Sequence, residues 1–164
     1  MEIVYLALAG AAGAVARWGF SGGMVRLFGP AFPLGTLGEN LIGCFLIGVV
    51  MQLAERTTLL SVEARTVIAV GFIGTFTTFS TFEYETLRLA RHGEAWAAGL
   101  NLALNIVLGL ALVWAGMALT ADVLAHGRRV PTAPSAAMTA RAGHDAWVQP
   151  MDEPEVEAGL ADRG

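Results

Sequence analysis

The chain has 164 residues, is 55% hydrophobic and 15% charged, and carries a net charge of −4 at pH 7. A soluble domain is usually about one-quarter charged, so this composition with a mean hydropathy of +0.58 points to a membrane protein. Lysine is absent, which excludes a P-loop and a Schiff-base lysine; the lone Cys44 forms no intrachain disulfide, and no basic and aromatic pattern suggests nucleic acid.

The first apolar run extends from Ile3 to Phe28. It is long, follows Met1-Glu2 rather than a positive segment, and reads as a membrane helix and not a signal peptide. Arg17 sits in its middle, and an intramembrane guanidinium is costly enough to be a functional candidate. It can bind backbone carbonyls, pair with an acid such as Glu39, or attract anions at a vestibule. The second run, Pro33 to Leu53, holds Glu39 and Asn40. An asparagine there can be glue between helices or can offer two amide donors to an anion.

The third run, Glu63 to Leu89, has the least ordinary composition. Thr75, Thr77, Thr78, Ser80 and Thr81 put five hydroxyls beside Gly71 and Gly74. Such hydroxyls can bond back to the preceding turn, which accounts easily for one or two of them. Glycine and β-branched residues together weaken the helix, and a broken helix at membrane depth is tolerated where it is buried in protein or lines a cavity. Phe76, Phe79 and Phe82 recur every three residues and are expected on one helix face, as core packing or as ring edges for an anion. The fourth run, Ala95 to Ala121, carries Asn101 and Asn105 one turn apart, with the same choice as Asn40.

Each run supplies the roughly 20 apolar residues that a bilayer crossing needs. The expected fold is an all-α membrane protein with four transmembrane helices, the third of them broken. Short links imply antiparallel neighbours. Glycines within the runs are expected mainly at close helix contacts. Residues 1–121 form the membrane domain, and 122–164 read as a polar, disordered tail with Arg128-Arg129 near its start. His92, His126 and His144 are widely spaced and suggest no metal site. Arg56, Arg65, Arg128 and Arg129 fall on one side of the membrane, and Arg26, Arg88 and Arg91 on the other. Four against three is a weak bias, compatible with insertion both ways and pairing about a two-fold axis, or with one orientation set by Arg128-Arg129.

Three motifs carry a resemblance: Gly10-Ala-Ala-Gly13 through Arg17-Trp18, Gly35-Thr36-Leu37 through Asn40 and Gly43, and Gly71-Phe72 with Gly74 through Phe82. Over about residues 3 to 120 the chain resembles the Fluc (CrcB-type) fluoride channel family. The resemblance implies a passive, fluoride-selective channel that exports fluoride from the cytoplasm and limits its toxicity. It implies a multi-pass protein of the cell inner membrane, acting as an antiparallel, dual-topology homodimer with two pores. Asn40, Phe79, Phe82, Ser80, Thr81 and Asn105 would line a pore, with Arg17 toward a vestibule. A structural sodium ion at the dimer centre would take the backbone carbonyls of Gly74 and Thr77 from both subunits. Sodium prefers oxygen ligands, and a pore for fluoride must replace its hydration with donors.

Two positions depart from the family pattern: Glu39, where a small or apolar residue is usual, and Asn105, where a serine or other small polar residue is common. A negative charge beside an anion path should slow fluoride unless it is protonated, paired or turned away. The alternative function is a small multidrug-resistance-like proton-coupled exporter. That class depends on a glutamate in its first helix, and this first helix has no acid beyond Glu2. A non-transporting assembly subunit would leave the hydroxyl-rich stretch without a role. No nucleophile and base pair suggests an enzyme. A paired second chain would make the protein half of a heterodimer.

Overall fold

The computed structural model describes residues 2–127; most of the expected tail, including Arg128, Arg129 and His144, lies outside them. Among the described residues the regular elements are all helices. Four are long and apolar enough to cross a membrane: Glu2–Phe28, Leu34–Arg56, Val62–Arg91 and Ala95–His126. They match the four apolar runs to within a few residues. The largest difference is at the end, where the expected boundary between 121 and 122 falls inside the fourth helix. Hydropathy marks only the length that prefers lipid, and a helix can continue past it. Here Asp122 and His126 support the last turn, with His126 Nδ1 2.8 Å from the Asp122 carbonyl and 3.3 Å from its carboxylate.

The connections are set locally. Gly29 follows the first helix with φ +79°, and its N–H donates to the Val25 carbonyl at 2.9 Å. A left-handed residue of this kind ends a helix at low cost only when it is glycine. Ser61 caps the third helix by accepting the Ala64 N–H at 3.1 Å.

Close approach holds the bundle together. The second and fourth helices meet at Gly48, which faces the Val113 carbonyl, and at Gly116, which faces the Phe45 carbonyl. The first helix meets the third at Gly13, against Thr75 and the Phe72 carbonyl. Any β-carbon at these places would collide with backbone, so packing through small residues does what hydrophobic burial does in water. The burial pattern is inverted accordingly. Trp18, Trp96 and Trp114 are 80%, 82% and 71% exposed, whereas Glu39 and Asn101 are each 1% exposed.

Along the third span the turns first widen over Val67–Ile73, where the Gly74 N–H reaches back five residues to the Ala69 carbonyl. A last α-turn covers Gly74–Phe76. Thr77 (φ −85°, ψ 161°) and Thr78 (φ −152°, ψ 118°) are then extended. Helix resumes over Phe79–Arg91, with Thr78 Oγ1 accepting the Thr81 N–H at 3.3 Å. These two residues also divide the expected phenylalanine stripe. Phe76 packs edge-on against Phe20 at 6.3 Å and stacks on Phe72 at 6.0 Å, while Phe79 and Phe82 pair with each other at 5.7 Å. Spacing of three places residues on one face only if the helix between them is continuous.

Candidate functional site

The extended backbone at Thr78 needs partners that helix geometry no longer provides. Asn40 on the second helix supplies them. The Thr78 N–H donates to Asn40 Oδ1 at 2.9 Å, and Asn40 Nδ2 donates to the Thr78 carbonyl at 3.1 Å. The side-chain amide thus pairs with the peptide as a neighbouring strand would. Asn40 Nδ2 also donates to Asn105 Oδ1 at 2.9 Å. Both donors that sequence offered to an anion are engaged within the protein.

In a continuous helix the Thr78 N–H would go to the Gly74 carbonyl. Its capture by Asn40 releases that carbonyl from its helical partner. The Thr77 carbonyl accepts from Arg17 Nη1 at 3.3 Å. The two carbonyls named as cation ligands thus differ: the Gly74 oxygen has lost its helical partner, whereas the Thr77 oxygen already accepts from a guanidinium. Among the described residues there is no group of three His, Cys, Asp or Glu side chains that could hold a metal ion.

Arg17 and Glu39 do not pair directly. Glu39 accepts the Ser21 hydroxyl at 2.5 Å, and among the described residues the one close contact between an acidic and a basic side chain is Asp122 with His126. The hydroxyls divide into two groups. The one Thr75 hydroxyl proton has the Gly71 carbonyl at 2.6 Å, with the Gly10 and Phe72 carbonyls also within reach, and Thr77 donates to the Ile73 carbonyl, so backbone satisfies both. Thr78 donates to Thr81 Oγ1 at 2.9 Å, and Ser80 and Thr81 are exposed at the start of the second half.

Two cavities meet at the extended residues. One, of about 390 Å³, is lined by Asn40, Phe79, Phe82 and Asn105, with Thr77 and Thr78 on its wall. The other, of about 630 Å³, is lined by Arg17, Ser21, Arg26, Glu39, Thr78 and Thr81. Thr78 is the residue common to both linings. Phe82 is 3% exposed, whereas Phe79, which also lines the first cavity, is 70% exposed. All the pore residues named from sequence except Ser80 line one cavity or the other.

A family model described as "CrcB-like protein, Camphor Resistance (CrcB)" matches residues 4–117. The chain belongs to the CrcB-like family. Relatives named "Fluoride-specific ion channel FluC" include one from Geobacter sulfurreducens, 50% identical over 70% of this chain and 93% of its own length. One from Acidobacterium capsulatum is 44% identical over 71% of this chain and 94% of its own. One from Rhizobium etli is 43% identical over 73% of this chain and 95% of its own. With its four apolar helices, this CrcB-like chain is a multi-pass membrane protein.

Three contributors to this CrcB-like site had no role assigned from sequence. Ser21 holds Glu39, and Thr86 accepts from Asn101 Nδ2 at 2.8 Å. Glu85 shares a small cavity with Thr36 and Arg88, and its Oε2 is buried without a hydrogen-bond partner. A lone serine or threonine in an apolar helix looks the same whether it holds a side chain or its own backbone. The membrane glutamates were the available signal.

Proposed function

We propose that this chain is one subunit of a passive, fluoride-specific ion channel that lets fluoride leave the cytoplasm across the inner membrane and so limits its toxicity. The observation that carries this reading is the pair of cavities on either side of Thr78, one bearing guanidinium groups and the other phenyl rings, in a CrcB-like chain. Relatives named as fluoride-specific channels support the choice of ion. The reading is of a channel and not an enzyme.

Arg17 and Arg26 draw the anion into the wider cavity. Thr81 and Thr78 supply hydroxyls next, with the exposed Ser80 beside them in sequence. The positive edges of Phe79 and Phe82 then take over part of the hydration shell, with Asn40 and Asn105 on the wall. None of the groups beyond the arginines is charged, so the ion is held weakly enough to leave. Glu39 sits on the vestibule side with its carboxylate held by Ser21, turned away from the cavity that Asn40 lines.

The third helix is broken at Thr77–Thr78 in this reading, and the break builds the site. Two copies pair antiparallel about a two-fold axis in the membrane plane. The 70% exposed Phe79 is what a second copy would cover, and the near balance of arginines supports dual topology. The Gly74 and Thr77 carbonyls of both copies would hold a structural sodium ion, which ties the two breaks together.

Fluoride efflux from proteoliposomes loaded with fluoride and chloride tests the function. Ion-selective electrodes should record fast fluoride loss with chloride retained. Folded protein that releases neither ion, or both equally, refutes it.

A further inference from the structure

Three asparagines link the second, third and fourth helices, and their amides all point the same way. Asn40 Nδ2 donates to Asn105 Oδ1 at 2.9 Å, Asn105 Nδ2 to Asn101 Oδ1 at 3.1 Å, and Asn101 Nδ2 to Thr86 Oγ1 at 2.8 Å. Thr86 Oγ1 donates in turn to the Phe82 carbonyl at 2.8 Å. Both ends dictate the direction. The Thr78 peptide can only donate through N–H and accept through C=O, which fixes the two atoms of the Asn40 amide. The Phe82 carbonyl can only accept, so the Thr86 proton is committed there and the Thr86 oxygen receives Asn101. Asn105 lies between and meets both demands in one orientation, its Nδ2 also donating to the Asn101 backbone carbonyl at 3.0 Å. Turning any one amide over would set donor against donor or acceptor against acceptor.

Asn101 is 1% exposed, and neither it nor Thr86 lines either cavity. Both are therefore out of reach of a permeating ion. Yet the relay begins on Thr78, the wall that the two cavities share, and ends on Phe82, whose ring lines the first. A buried polar network in which each member is satisfied is rigid, and loses that rigidity when one partner is removed. We propose that Asn101 and Thr86 are positioning residues for anion selectivity: through Asn105 and Asn40 they lock the Thr78 peptide and the Phe82 turn relative to each other. This deepens the fluoride-channel reading and rests on it. A path held to fixed width admits the small anion, and slack at Thr78 lets chloride follow.

The test compares wild type with Thr86→Val, Thr86→Ser and Asn101→Leu by two measurements. One is fluoride against chloride efflux from proteoliposomes. The other is hydrogen–deuterium exchange in peptides covering Thr77 to Phe82. Thr86→Val keeps the shape and removes the acceptor. It should lower fluoride-over-chloride discrimination about tenfold and speed exchange at the Thr78 amide about tenfold, the scale of one buried donor left unpaired. Thr86→Ser, which keeps the hydroxyl, should restore both. Asn101→Leu should match Thr86→Val, and the double variant should be no worse than either, as members of one chain behave. If Thr86→Val does not fold, Asn101→Leu against wild type carries the same two readouts. Faster exchange with unchanged discrimination overturns the proposal, and so does unchanged exchange. A wild type that passes no fluoride instead refutes the channel reading, and the proposal of a selectivity role falls with it. The exchange result then stands as a separate finding on the hydrogen bonds alone.

Discussion

On the N-terminal side of Thr77, the third span's threonines and phenylalanines are consumed by the fold. The Thr75 hydroxyl is enclosed by backbone carbonyls, and Phe76 is buried between Phe20 and Phe72. On the C-terminal side the same residue types stay available: Phe79, Ser80 and Thr81 are exposed, and Phe79 lines a cavity. The neighbours explain the difference. The first half lies against Gly10 and Gly13 of the first helix, which admit it closely enough for side chain to meet backbone. The second half begins only after an extended pair of residues, Thr77 and Thr78. Composition sets what a residue can do, and the backbone between two such residues decides which of them does it.

The comparison breaks most severely if the first half can be loosened without harm. Gly13→Leu would drive a side chain into Thr75 and the Phe72 carbonyl, neither of which can retreat. No folded, monodisperse protein should be recovered in size-exclusion chromatography, and ordinary recovery would show that this contact is not essential. Next in size is Phe79→Ile. A ring-edge contact is worth about 0.5–1.5 kcal/mol, so fluoride flux should fall by up to about tenfold while the protein stays folded. Flux equal to wild type would remove the ring edge from the mechanism. Glu39→Gln sharpens the vestibule side. A like charge several ångströms from the ion's path through water costs roughly 0.7 kcal/mol, so flux at neutral pH should rise about threefold. An unchanged rate would mean the Glu39 carboxyl is neutral or remote. The smallest effect belongs to Phe76→Leu. It should cost about 1 kcal/mol of stability by denaturation and leave flux within about twofold. A tenfold flux loss there would erase the distinction between the two halves.

Much of the fold could be read from composition alone. Lipid demands long apolar helices, and the runs around Arg17, Asn40, Thr77 and Asn105 are that long. The site was legible as a set of unusual residues but not as a set of partners. That Asn40 would bind a peptide group followed from where the extended residues fell, and hydroxyl-rich sequence suggests a weak helix without saying which turn gives way. The split between Phe76 and Phe79 was hidden for the same reason. Glu39 stood out as a membrane acid, but its tie to Ser21 depends on how two helices are rotated against each other. Asn101 stood out with the same choice as Asn40 and Asn105, but its partner Thr86, one of several threonines on the preceding helix, did not.

The grip of Asn40 on Thr78 also constrains how the protein can change over generations. The amide stands in for a missing turn of helix, so its value exists only while the turn is missing. A chain that lost Asn40 first would carry two unpaired peptide groups at membrane depth. A chain that regained the helical turn first would leave a stranded amide in its place. The two changes are tolerable together and harmful apart, so substitutions at position 40 should be accepted only on backgrounds that have already altered the stretch from Gly74 to Thr78.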